Sequence, residues 1–138
     1  MDINLFTVIG TRPQFVKASA LSRAIDKFNE FSNANNKILH TLIHTGQHYD
    51  DNMSDIFFKE LGLNAPDILF EIEKENISHA RMTSQMMNDL EETFTSNKPD
   101  MILVYGDTNT TLAASLTAAK LGIKIAHIES GLRSFNKT

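Results

Sequence analysis

The chain has 138 residues, 41% of them hydrophobic and 22% charged, which is enough for one domain of ordinary size around an apolar core. Its net charge of −4 and its lack of cysteine exclude a global positive field for nucleic acid, a disulfide framework and thiolate metal sites. There is no signal-peptide pattern, and no apolar stretch approaches the roughly 20 residues that span a bilayer. We therefore expect a cytoplasmic protein with no membrane or nucleic-acid partner.

Strand and helix patterns alternate along the first half of the chain. Residues 3–9 form a short, β-branched apolar run ending at Gly10, which predicts a buried strand. A helix is predicted next, with Pro13 near its first turn. Its apolar positions are Val16, Ala20, Leu21, Ala24, Ile25 and Phe28. After a loop at 33–36, we predict a strand at 37–43, a short helix at 51–61 and a brief strand at 68–72.

The second half continues the alternation. A long amphipathic helix is predicted over 76–97, with apolar positions Ala80, Met86, Met87, Leu90 and Phe94. Residues 101–105 predict a strand covered on both faces. The following helix is predicted to begin at an Asp107 N-cap and to end at Gly122, and residues 123–128 predict the last strand. The apolar positions of this helix are Leu112, Ala113, Leu116 and Ala119. This order predicts an α/β fold with a doubly wound parallel sheet.

Charged and hydroxyl side chains follow three predicted strands at the point where each strand ends. Arg12 follows the first strand, and Asp107 and Thr108 follow the fourth. Glu129 and Arg133 follow the last strand. Ligands bind open parallel sheets outside the carboxyl ends of the strands, so we expect these side chains to face one rim.

The turn after the first strand combines Gly10, the start of a helix, and the cations Arg12 and Lys17, which together suit a phosphate group. Neither the dinucleotide fingerprint nor the P-loop pattern is present. The alternative is a capping box between Thr11 and Gln14, with both cations solvated.

Asp107 and Glu129 are separate carboxylates expected at the same rim. In a partly dry cleft, such a pair can divide into one acid and one base. For Asp107 the alternative is a helix cap without a chemical role.

The HTGQH segment places His44 and His48 four residues apart, but Gly46 indicates a loop and the glutamate of a zinc-binding helix is missing. We expect Gln47 and His48 to bond to loop backbone, and we predict no metal site. Asp50 and Asp51 are explained by the polar start of a helix.

Three segments in this order, GTRPQFVKAS, HTGQHYDDNMSDIFF and PDMILVYGDTNTTLAASLTAAKLGIKIAHIESGLRSFN, resemble the non-hydrolysing UDP-N-acetylglucosamine 2-epimerases of bacteria. The QH loop and LRSFN also resemble the branch that acts on UDP-2,3-diacetamido-2,3-dideoxyglucuronate in surface polysaccharide synthesis. In the family's EAG-type motif, Ser130 replaces the usual alanine.

The resemblance implies a Rossmann-like domain, the N-terminal half of a GT-B-like two-domain enzyme whose active site lies between the halves. Family members invert C2 of the sugar by eliminating UDP and adding it back while a proton reaches the other face of C2, with neither NAD nor metal. The full-length protein is expected to be a homodimer, and this chain alone is expected to be inactive.

The resemblance also assigns roles to individual residues. Asp107 and Glu129 would be the catalytic acid and base or would stabilise the intermediate. The substrate-binding residues would be Arg12, Lys17, Thr108 and Arg133, with the two cations Arg12 and Lys17 at the phosphate region. Gln47 and His48 match a second, regulatory nucleotide-sugar site in some members.

Two other functions remain open from the sequence. A freestanding nucleotide-sugar binding module fits the short chain. One half of a GT-B glycosyltransferase would share the architecture but would need an acceptor for the sugar.

Overall fold

The computed structural model describes residues 1–32, 36–48, 64–73, 77–131, 133 and 135. Within these ranges the elements are β1 (Ile3–Ile9), α1 (Arg12–Phe31), β2 (Ile38–His44), β3 (Ile68–Leu69), α2 (His79–Asn97), β4 (Met101–Tyr105), α3 (Asn109–Lys120) and β5 (Lys124–Ile128). The strand predictions are confirmed to within a residue or two, except that β3 is only two residues long. The helix predicted at 51–61, together with Asp50 and Asp51, lies outside the described residues.

The five strands form one sheet in the order β3-β2-β1-β4-β5, and every neighbouring pair is parallel. This confirms the predicted doubly wound parallel sheet. The chain leaves β1 toward β2 on one side and later returns to β4 on the other side. The strand order therefore reverses between β1 and β4, where open α/β sheets form a ligand crevice at their carboxyl edge.

Helices cover both faces of the sheet. On one face, α1 places Phe15, Ala18 and Ile25 against side chains of β1, β2 and β4. On the other face, α2 and α3 pack together over the alternate residues of the same strands, with Met86, Leu90 and Phe94 in the core as predicted. The side chains of β1 and β4 are thus buried on both faces, as their apolar sequences require. No helix in the described ranges is long and apolar enough to cross a membrane.

The predicted apolar face of α1 is partly wrong. Val16 and Phe28 are 48% and 49% exposed, and Ala20 and Ala24 are exposed too, whereas Ile25 is buried. The face toward the sheet instead includes the polar residues Gln14 and Ser19. These two are buried because their polar atoms find partners; the hydroxyl of Ser19, for example, donates to the Val16 carbonyl at 2.7 Å.

The predicted apolar face of α3 is also wrong except at Ala113. Leu112 and Leu116 are 56% and 41% exposed, and Ala119 is exposed. Small residues are buried in their place, namely Thr110, Thr111, Ala113, Ala114, Thr117 and Ala118. A face of alanines and threonines lets the helix backbone approach the sheet and α2 closely, and hydrophobicity alone does not reveal this.

Candidate functional site

Gln14 joins the turn after β1 to the turn after β4, the two strands between which the strand order reverses. Its side-chain oxygen accepts from the backbone N–H of Gly10 at 2.9 Å, and its amide nitrogen donates to the Tyr105 carbonyl at 2.8 Å and to Thr108 Oγ1 at 3.1 Å. The residue is only 5% exposed. A primary amide suits this position because it accepts and donates at once. Gln14 thereby fixes the turn after β1 relative to the turn after β4.

The capping box that was the alternative for the start of α1 does not form. Thr11 is the N-cap, but its side chain makes no capping bond, and Gln14 reaches back to Gly10 rather than to Thr11. Pro13 has no N–H to satisfy. The N-terminus of α1 therefore has no side-chain cap from Thr11, and Arg12 is exposed in its first turn.

The N-terminus of α3 is capped by side chains from two elements. Thr108 is the N-cap, and its hydroxyl accepts from the Thr111 N–H at 3.3 Å. Gln47 extends from the loop after β2, and its side-chain oxygen accepts from the N–H and hydroxyl of Thr110 at 3.0 and 2.8 Å. The prediction of Asp107 as N-cap is wrong by one residue, because the helix begins only at Asn109. The exposed Asp107 carboxylate is thus left for another role.

The HTGQH loop is bonded to the end of β1. The His48 backbone N–H donates to the Gly10 carbonyl at 2.9 Å, while the bond expected of the His48 side chain stays a prediction. The Gln47 side chain bonds to α3 rather than to its own loop. His44 is fully buried, and its Nδ1 accepts from the Gly46 N–H at 3.0 Å. Within the described part of the chain, no group of three or more acidic, histidine or cysteine side chains forms a metal site.

Glu129 lies beyond the end of β5 with a backbone φ of 64°, in the left-handed region that non-glycine residues seldom adopt. Its Oε1 lies 2.6 Å from the Lys17 ammonium group of α1. Its other oxygen faces Gly106, since a Cβ placed on that glycine would lie 3.7 Å from Oε2. Lys17 therefore orients the carboxylate, which lies beside the turn that carries Asp107.

A depression at this edge of the sheet brings together residues of the β4 and β5 turns. It is lined by Gly106, Asp107, His127, Glu129, Ser130 and Arg133. His127 donates from Nε2 to the Gly106 carbonyl at 2.6 Å, and the Gly106 N–H donates to the Ile128 carbonyl at 2.9 Å. These two bonds hold the Asp107 turn against β5. Arg133 donates from Nη1 to the Ser130 carbonyl at 2.9 Å, which holds its guanidinium beside the residue that follows Glu129.

The structure brings Asp107, Glu129 and Arg133 into this depression, as the strand-end pattern predicted. Lys17 is held on Glu129, and Thr108 is turned into the buried network of Gln14. The sequence reasoning missed His127 and the bridging role of Gln14. The position of His127, on β5 and two residues before Glu129, was the available signal. Tyr105, next to this site, is buried beneath α1, and burial raises the pKa of its phenol above the ordinary 10.0. The phenol thus stays neutral near pH 7.

Comparison with known proteins identifies the family. Residues 30–138 match the family model for UDP-N-acetylglucosamine 2-epimerase. The chain is 46% identical over 134 residues to UDP-2,3-diacetamido-2,3-dideoxy-D-glucuronate 2-epimerase of Pseudomonas aeruginosa, covering 97% of this chain and 35% of that protein.

Solved structures agree with this assignment. The Methanocaldococcus jannaschii UDP-GlcNAc 2-epimerase in complex with UDP-GlcNAc and UDP matches with a TM-score of 0.82 and 41% identity, over 98% of this chain and 34% of that one. The Neisseria meningitidis UDP-GlcNAc 2-epimerase bound to UDP-GlcNAc matches with a TM-score of 0.79 and 34% identity, over 97% and 33%. The chain thus spans about a third of the length of these relatives. On the family match and these likenesses, the chain belongs to the UDP-N-acetylglucosamine 2-epimerase family.

Proposed function

We propose that the full-length protein inverts C2 of UDP-N-acetylglucosamine to give UDP-N-acetylmannosamine. In this proposal the chain is the N-terminal Rossmann-like half of a GT-B-like two-domain enzyme, and it contributes one wall of the active site. Family membership and the complexes of its relatives with UDP-GlcNAc support the substrate class. The homodimer and the cytoplasmic location remain predictions.

The observation that carries the proposal is the meeting of Asp107 and Glu129 in one depression at the carboxyl edge of the sheet. They come from turns that follow different strands. Lys17 holds the Glu129 side chain, and His127 holds the turn that carries Asp107. The uncapped N-terminus of α1 opens at the same edge with Arg12 in its first turn, which suits the diphosphate of a UDP-sugar.

This arrangement suits a reaction that removes a proton and returns it. In the proposed first step a carboxylate takes the C2 proton while the C1–O bond breaks, and UDP leaves with the bonding electrons. In the second step, UDP adds back to C1 and a proton is delivered to the opposite face of C2. Two carboxyl groups on one wall supply an acid and a base, and Arg12 at the N-terminus of α1 stabilises the departing diphosphate.

The proposal is tested by replacing each carboxylate in the full-length protein and following formation of the C2 epimer. We expect Asp107→Asn and Glu129→Gln each to lower kcat by roughly a hundredfold to ten-thousandfold, the range of general acid–base catalysis. Glu92→Gln, on the exposed side of α2, is the matched control and should keep wild-type turnover. Wild-type turnover in both rim variants would remove Asp107 and Glu129 from the chemistry.

A second candidate substrate is UDP-2,3-diacetamido-2,3-dideoxyglucuronate, favoured by the 46% identity to the Pseudomonas aeruginosa 2-epimerase for that sugar. The chemistry at C2 would be the same, so the two candidates differ in substrate and not in the roles of the rim carboxylates. Parallel assays with the two nucleotide sugars separate them. If the full-length protein binds both nucleotide sugars but turns over neither, it is a binding module and not an epimerase.

A further inference from the structure

Lys17 lies within reach of two different partners at the rim. It occupies the second turn of α1, just beyond the helix N-terminus that suits a diphosphate. Its ammonium group nevertheless points toward β5, where Nζ lies 2.6 Å from Glu129 Oε1. The two residues are 112 positions apart in the chain, so this contact depends on the folded sheet and not on local sequence.

The contact with Lys17 restricts the orientation of the Glu129 side chain. This residue has φ 64°, its side chain is 32% exposed, and its Oε2 faces Gly106 of the turn that carries Asp107. Without a partner, a glutamate side chain at the end of a strand, in an unfavoured backbone conformation, can adopt several rotamers. The charge-assisted bond from Lys17 holds the Glu129 carboxylate in one of them.

We propose that Lys17 is a positioning residue for Glu129 and not a diphosphate contact. The inference rests on the proposed function, because it takes Glu129 as the acid or base at C2. Lys17 then acts on turnover through the orientation of the Glu129 carboxylate, while the N-terminus of α1 and Arg12 receive the diphosphate.

The two roles of Lys17 predict different kinetics. A diphosphate cation contributes to binding of UDP itself, so its loss weakens the affinity for UDP, typically about tenfold or more for a charged hydrogen bond. A positioning residue contributes only through its partner. Its loss lowers kcat, leaves UDP affinity unchanged, and has no further effect once the partner's carboxylate is gone.

The experiment is a double-mutant cycle in the full-length protein with Lys17→Met, Glu129→Gln and both together. We expect Lys17→Met to lower kcat by at least about tenfold, within the range of acid–base catalysis, and to leave the Kd for UDP within about twofold by calorimetry. In the Glu129→Gln background, Lys17→Met should change kcat by less than about threefold. Lys27→Met removes a lysine from the exposed part of the same helix and is the matched control.

Two results of the UDP calorimetry and the kinetics would overturn the proposal. One is a rise of about tenfold or more in the Kd for UDP on Lys17→Met. The other is a loss in kcat that multiplies with that of Glu129→Gln. An exposed ion pair contributes little to stability, so Lys17→Met is expected to fold.

A separate readout distinguishes failure of this inference from failure of the proposed function. In the 138-residue chain, the ¹³C resonance of the Glu129 side-chain carboxyl should shift on Lys17→Met and stay in place on Lys27→Met. If wild-type protein exchanges no proton at C2 of either nucleotide sugar, the proposed function fails. UDP calorimetry and the Glu129 resonance then still decide what Lys17 contacts, and an unmoved resonance would overturn the inference.

Discussion

Gly10 lies beneath a hydrogen bond between the hydroxyls of Thr45 and Thr110, which are 2.7 Å apart. A Cβ at this position would lie 2.0 Å from Thr110 Oγ1 and 2.6 Å from Thr45 Oγ1. Both distances are far inside van der Waals contact, so Gly10→Ala must displace the two hydroxyls or the turn itself. Overpacking costs about 1–3 kcal/mol. Loss of the bond between the hydroxyls adds about 0.5–1.5 kcal/mol.

We therefore expect Gly10→Ala to lower the free energy of unfolding of the chain by roughly 2–4 kcal/mol, a large part of the about 5–15 kcal/mol typical of a domain. Urea denaturation of the 138-residue chain measures this change. Gly131→Ala is the matched control, because its Cβ would meet no described atom within 4 Å, and it should stay within about 0.5 kcal/mol of wild type.

A second substitution tests the mechanism of this loss. Thr110→Ala removes the hydroxyl that the new Cβ would strike first, so the double variant should be more stable than the sum of the single losses predicts, by about 1 kcal/mol or more. Losses that simply add, or a Gly10→Ala variant as stable as the Gly131→Ala control, would refute the steric reasoning.

Three further predictions concern the stability of the fold, through a buried histidine, a helix cap and a core leucine. Burial lowers the pKa of His40 below its ordinary 6.5, and the charges of Asp67 and Asp26 oppose this shift. The neutral imidazole therefore contributes to folding stability above about pH 6.5, and this contribution is lost as the pH falls below that value. Urea midpoints at pH 7.5 and 5.5 should differ less in His40→Asn than in wild type. Gln47→Ala removes the acceptor of the Thr110 N–H and should cost about 1 kcal/mol in urea unfolding, while Gln47→Glu, which keeps an oxygen there, should cost less. Leu90→Ala empties a fully buried core position and should cost about 2–5 kcal/mol, whereas an unchanged midpoint would contradict the packing of α2.

The fold was predictable because the buried strands carry a strong local signal. β1 and β4 are apolar at nearly every position, and glycines follow both. The three helices of the described residues were equally predictable, but the buried faces of α1 and α3 were not. On α3 the buried residues are alanines and threonines, while Leu112 and Leu116 are exposed. A pattern of large apolar residues therefore indicates the wrong face when close backbone approach selects small side chains.

The candidate site was predictable as far as strand ends determine it. Asp107 and Glu129 were placed at one edge because parallel strands end together there. Their partners were not predictable. Lys17 reaches Glu129 across 112 residues of sequence, and the choice of Thr108 over Asp107 as N-cap depends on where α3 begins. Such contacts are set by tertiary structure, which leaves no periodic trace in the sequence.

A reaction at C2 of a UDP-sugar exchanges the C2 proton with solvent, and NMR detects this exchange. The full-length protein is incubated in deuterated water with UDP-N-acetylglucosamine, and in parallel with the diacetamido-glucuronate nucleotide, and NMR follows C2. We expect deuterium at C2 together with the C2 epimer for one of the two sugars, without added NAD or metal. Unlabelled sugar with no epimer in both reactions, under conditions where UDP binds, would contradict it.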